Sequence, residues 1–187
     1  REVQPQGLVE LQSEVCACER CSLSKTRTRT VFGEGDPGAR LVFVGEGPGH
    51  EEDRQGKPFV GAAGQLLTKI IQAMGLARED VYICNIIKCR PPGNRNPAPE
   101  EIAACMPFLE QQLRFIQPDY ICALGAVAAR TLLNIDMPIS RIRGRFHRFG
   151  NISLMPTYHP AYLLRNPDKK REVWNDVQVL MQEMGLK

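Results

Sequence analysis

The stretch "LVFVGEGPG", Leu41 to Gly49, runs four apolar residues into a glycine-rich turn. A short β-branched run without polar alternation reads as a strand covered on both faces, as in a parallel sheet. Glycines directly after it let backbone N–H groups approach a ligand closely. Three further runs read the same way: "VYICNII" (Val81 to Ile87), "YICALG" (Tyr120 to Gly125) and "ISLMPT" (Ile152 to Thr157). Helical patterns separate them. "AAGQLLTKIIQAMG" sets Leu66, Leu67, Ile70, Ile71 and Met74 on one side and stops at Gly75. "PEEIAACMPFLEQQLRFI" opens on Pro99 and two glutamates, a favourable first turn, and carries Ile102, Cys105, Met106, Leu109, Leu113 and Ile116 on one stripe. The last helix, within Lys169 to Met184, turns Val173, Trp174, Val177, Leu180 and Met181 inward.

Strands alternating with helices predict an α/β fold: a three-layer α/β/α sandwich on a central, mainly parallel four-stranded sheet. The 187 residues suit a single domain, 1–187, with a substantial core. In such sheets ligands bind beyond the carboxyl ends of the strands. The unusual residues gather there: "GEGPG" after the first strand, Asn85 at the end of the second, "HPAYLLRNP" after the fourth.

No apolar run approaches the length that spans a membrane, and "REVQPQGLVE" lacks the apolar region of a signal peptide. A formal net charge of +3 does not by itself imply an anionic partner. Its distribution says more. "KTRTRT", "KCRPPGNR", "RIRGRFHR" and "DKKR" are local basic clusters, each on its own a solvated loop, and together suited to a phosphate backbone if they border one site.

The seven cysteines are an odd number in a chain that reads as cytoplasmic, which favours metal binding or burial over disulfides. Cys84 and Cys122 lie inside apolar strands and read as core. Cys18 and Cys21 form C-x2-C; Cys89 and Cys105 form C-x15-C. Four thiolates suit zinc or an iron–sulfur cluster, and spacing does not separate the two. Cys16 is left over.

Taken together, the chain resembles the family 4 uracil-DNA glycosylases, the iron–sulfur branch of the uracil-DNA glycosylase superfamily. The matching segments are "CERCSLSKTRTRTVFGEGD", "LVFVGEGPGHEEDRQGKPFVGAAGQLL", "NIIKCRPPGNRNPAPEEIAAC", "ALGAVAARTLL" and "PTYHPAYLLRNP", in family order. The resemblance implies a repair enzyme, a monomer acting on uracil-containing DNA. It flips the base out, hydrolyses the N-glycosidic bond and leaves an abasic site. It implies a 4Fe-4S cluster on Cys18, Cys21, Cys89 and Cys105, with residues 16–21 and 88–105 forming the cluster site.

The same resemblance assigns the pocket. Phe59 stacks on the base, Asn85 pairs with its edge, and His159 donates to O2 as charge develops there. The main chain around Gly47, where family 1 members carry an aspartate, forms one wall. Of the nearby carboxylates Glu46 and Glu52, one is expected to position water or stabilise the sugar cation; Glu51 and Asp53 read as solvated. Leu163 or Leu164 is the wedge that fills the gap in the stack, and Arg165 meets phosphate, with Lys169 to Arg171 beside it. His50 and His147 read as loop residues without a role.

Two other classes compete. A covalent trap for uracil-containing DNA in this superfamily uses a histidine in an inserted loop, and the segment from Asn85 to Cys105 is short and has none. An electron-transfer or zinc-stabilised nucleic-acid module explains the cysteines but not Phe59, Asn85 and His159 gathering at strand ends.

Overall fold

A computed structural model of the chain describes residues 5–186; Arg1 to Gln4 of the opening stretch read above, and Lys187, lie outside them. The strands are β1 (Glu34–Gly35), β2 (Leu41–Gly45), β3 (Tyr82–Asn85), β4 (Tyr120–Leu124), β5 (His147–Phe149) and β6 (Ile152–Thr157). They form one sheet in the order β1-β3-β2-β4-β6-β5. The central four pair in parallel and are the four strands expected from the sequence. The expected four-stranded sheet is corrected to six: β1 and β5 add antiparallel edges. Strands of two or three residues carry no apolar rhythm that could announce them.

Period two splits the apolar runs between two cores. Val42, Val44, Ile121 and Ala123 face one side with α1 (Pro5–Cys16), α4 (Pro99–Ile116) and α5 (Ala126–Leu133). Leu41, Phe43, Cys122 and Leu124 face the other with α3 (Ala62–Ala73) and α8 (Lys170–Met184). Both faces are dry, which explains why the runs do not alternate in sequence. Cys84 and Cys122 are core, as read. The short helices α2 (His50–Gln55), α6 (Ile139–Ile142) and α7 (Pro160–Arg165) fill the loops between. His50 therefore opens a helix and His147 lies in an edge strand, where its Nε2 donates to Ile142 O at 2.9 Å, so neither is a loop residue.

Parallel pairing aligns the strand ends. Gly45 is opposite Asn85, and Leu124 is opposite Thr157. The turns after β2, β3, β4 and β6 thus open on one edge of the sheet.

Candidate active site

A cleft of about 510 Å³ opens at that edge, lined among others by Glu46, Gly47, Glu52, Phe59, Asn85, Arg95, His159, Tyr162 and Arg165. Asn85 ends β3 and is only 1 % exposed. Its Oδ1 is the one buried side-chain polar atom among the described residues without a hydrogen-bond partner. An unpaired buried acceptor costs roughly 1–3 kcal/mol, so a native site that keeps one is built for a donor from elsewhere. Gly45 makes room for it: a Cβ there would lie 2.5 Å from both Asn85 Oδ1 and the Phe59 ring. The amide and the aromatic ring therefore meet over a residue that has no side chain.

Phe59 adopts a left-handed backbone with φ of 51°. For a bulky residue this costs of order 1–3 kcal/mol and must be held from outside. Three contacts hold it. Arg78 donates from Nη1 to Phe59 O at 3.0 Å and from Nη2 to Pro58 O at 2.8 Å. Glu52 Oε1 accepts from Val60 N and Gly61 N, both at 2.8 Å. Helix α3 closes over the turn because Gly64 lacks a Cβ, which would lie 1.9 Å from the Phe59 carbonyl. The ring of Phe59 faces that of His159 at 5.6 Å between centroids and 29° between planes.

His159 caps α7. Its Nδ1 accepts from Ala161 N at 3.0 Å, so the neutral ring carries its proton on Nε2. Burial, and then the Arg165 cation, depress its pKa from 6.5 to about 4. Near neutral pH the ring is an uncharged Nε2–H donor.

The two carboxylates differ in task. Glu52 spends Oε1 on the turn that holds Phe59. Glu46 lines the cleft, and burial raises its pKa. A Cβ on Gly47 would fall 2.7 Å from Ile87, itself fully buried, so no aspartate fits at that position without moving the core. Asp53 is not solvated as expected: it is buried and accepts from Thr28 N at 2.8 Å and Arg29 N at 3.3 Å, tying α2 to the N-terminal loop. Neither this contact nor the Arg78 fork leaves a mark in the sequence, since both join distant segments.

Of the paired leucines, Leu163 packs in the core at 1 % exposure, and Leu164 stands 46 % exposed. The basic clusters divide: Lys25, Arg29, Arg141, Arg145, Arg148, Lys170 and Arg171 are exposed, while others are tied into the fold. Lys88 is buried, donating from Nζ to Asn85 O at 2.8 Å and Gln112 Oε1 at 2.6 Å. Arg143 pairs with Asp176, and Lys169 with Glu172. Arg95 and Arg165 are the arginine and lysine side chains that line the cleft.

Cys18, Cys21, Cys89 and Cys105 line one small cavity between the N-terminal segment, the turn after β3 and α4. Three of the four sulfurs face N–H donors: Arg27 Nη1 to Cys89 at 3.3 Å, Lys88 N to Cys105 at 3.4 Å and Arg20 N to Cys18 at 3.5 Å. As a free thiol Cys89 is pushed up to about 11 by burial, and Cys105 upward too. Among the described residues no three His, Cys, Asp or Glu side chains are grouped to hold a single metal ion. Cys16 stays exposed outside the cavity.

The chain is similar to known proteins over most of its length. The family model described as the uracil DNA glycosylase superfamily matches residues 32–178. A type-4 uracil-DNA glycosylase of Thermotoga maritima is 49 % identical over 176 residues, 91 % of this chain and 92 % of that protein. One from Archaeoglobus fulgidus is 43 % identical over 190 residues, covering 97 % and 96 %. One from Saccharolobus solfataricus is 42 % identical over 186 residues, covering 95 % and 86 %.

Proposed function

The chain belongs to the type-4 uracil-DNA glycosylases and excises uracil in DNA repair, and we propose that it does so with the following division of labour. Extrahelical uracil enters the cleft and stacks on Phe59. Asn85 Oδ1 accepts from uracil N3–H, and its amide N–H donates to O4. Cytosine offers the reverse pattern at both atoms and leaves the buried amide unpaired. The observation that carries this reading is the orphaned Oδ1 of Asn85.

The C1′–N1 bond breaks with its electron pair going to the base. His159 donates its Nε2–H to O2, where the charge settles; a neutral donor suffices, and it needs no reorganisation. Glu46 faces the sugar side. It orients a water, takes its proton as the oxygen bonds to C1′, and offsets the positive charge on the sugar ring. Burial raises its pKa, and its carboxylate is not engaged by the turn that occupies Glu52 Oε1. Glu52 acts at one remove by holding Phe59. Leu164 fills the space the base leaves, and Arg165 meets phosphate.

The four cysteines suit a 4Fe-4S cluster, since the N–H donors around them match the demand of thiolates bound to iron. When bound, such a cluster supplies a cross-link between residues 16–21 and 88–105 rather than a reacting group. We read the chain as one domain, acting as a monomer in the cytoplasm. Among the described residues no helix is long and apolar enough to cross a membrane.

The test is incubation with duplexes bearing U·G, U·A and T·G, followed by alkaline cleavage, for the parent and Glu46→Gln. Cutting only at uracil, with Glu46→Gln slower by roughly 10²-fold, is expected. Cutting at thymine would undo the role of Asn85, and a full-speed Glu46→Gln would undo that of Glu46.

A further inference from the structure

The rim of the cleft holds a second cation, Arg95, the last residue of the basic cluster "KCRPPGNR". Arg95 lies in the turn between the cysteine-bearing segments and is 45 % exposed, while its partner Glu101 is 2 % exposed. Nη1 donates to Glu101 Oε2 at 2.9 Å and Nη2 to Oε1 at 2.7 Å, an end-on fork. The second Nη1–H goes to Asn96 O at 3.0 Å. A guanidinium has five N–H groups in a rigid plane. The two left over, Nε–H and the outer Nη2–H, share one edge, and among the described residues neither has a partner. Two parallel donors on a fixed edge match the two oxygens of a phosphate.

Glu101 fixes that edge. It also accepts from Ala98 N at 2.8 Å, at the start of α4, and from Ser22 Oγ at 3.3 Å, next to Cys21. The guanidinium holds its carboxyl down to about 2, so it stays a carboxylate at any working pH.

We propose that Arg95, oriented by buried Glu101, grips a phosphate of the bound DNA strand through its Nε/Nη2 edge. The contact stands beside Arg165 on the same cleft and gives the strand a second fixed point. It rests on the reading of uracil-containing DNA as the substrate.

The test measures binding to a duplex with an abasic-site analogue by fluorescence anisotropy across a salt series, together with single-turnover excision at saturating DNA. Arg95→Ala is expected to weaken binding roughly tenfold at about 0.1 M salt and to lower the slope of log K against log salt by about 0.9. Its excision rate at saturation should stay within about twofold of the parent, since the contact serves binding and not the bond-breaking step. Arg95→Lys keeps the charge without the fork, and should restore the slope but only part of the affinity. An Arg95→Ala protein with lowered melting temperature and an unchanged salt slope would make the residue structural only and overturn the proposal. So would Arg95→Lys binding as tightly as the parent, since the fork would then be idle. A parent that leaves uracil in place would overturn the substrate reading instead, which the excision arm reports separately.

Discussion

At the residue scale the site turns on protons and lone pairs that the sequence names but does not aim. The family resemblance assigns His159 as a donor past the end of β6, yet its protonation follows from one contact, Ala161 N to Nδ1. That bond puts the proton on Nε2, and burial keeps the ring neutral with a pKa of about 4. Nitrogen NMR should therefore show His159 as the Nε2–H tautomer from about pH 8 down to about pH 5, through the range where an ordinary imidazole gains its proton. A titration step near 6.5 would refute the depressed pKa. His159→Ala should slow excision by roughly 10²–10³-fold, the usual loss of one oxyanion donor, with substrate affinity little changed. The two glutamates show the limit of sequence reading. Glu46 and Glu52 are equivalent candidates as letters, and only the hydrogen bonds from Val60 N and Gly61 N divert Glu52 to the Phe59 turn.

At the element scale the long pieces were legible and the short ones were not. β2, β6 and α4 begin and end where their apolar runs and caps predict. Helix α2 was hidden because "HEEDRQ" is too short and polar to show a period, and so the burial of Asp53 on its inner face was hidden too. The turn before α3 holds the least visible feature, the left-handed Phe59. Gly64 inside α3 is the hinge of that argument. An alanine in place of a helix-interior glycine ordinarily stabilises by about 1 kcal/mol. Here the added Cβ would lie 1.9 Å from the Phe59 carbonyl, and overpacking against backbone costs roughly 1–3 kcal/mol or more. The second effect wins. Gly64→Ala should lower the melting temperature and raise KM for uracil-containing DNA, because the stacking ring is displaced. A variant that melts higher than the parent, with KM unchanged, would show that α3 does not press on the turn.

Across the whole molecule, the cysteines and the cleft occupy different places but share connecting chain. The turn after β3 leaves Asn85 in the cleft and reaches Cys89 four residues later, with Lys88 between them holding Asn85 O. Residues 88–105 then pass Arg95 on the rim before α4 brings Cys105 back to the cavity. The sequence made the pairing of cysteines readable but not this route, because the contacts of Lys88 with Gln112 and of Arg95 with Glu101 depend on how α4 packs. If the four sulfurs serve as a cross-link, removing one should act on stability before chemistry. Cys89→Ala is expected to lower soluble yield and to lose the broad visible absorbance of a bound cluster. The fraction that remains folded should excise uracil at a single-turnover rate within about tenfold of the parent, since Asn85, Phe59 and His159 are held by their own contacts. Chelation of the parent should reproduce the drop in stability, since a bound group that ties distant segments stabilises only the folded state. Full solubility and full absorbance in Cys89→Ala would show that Cys89 is not a ligand. A fully folded variant with excision abolished would place the cysteines in the reaction itself and reverse the division between scaffold and cleft.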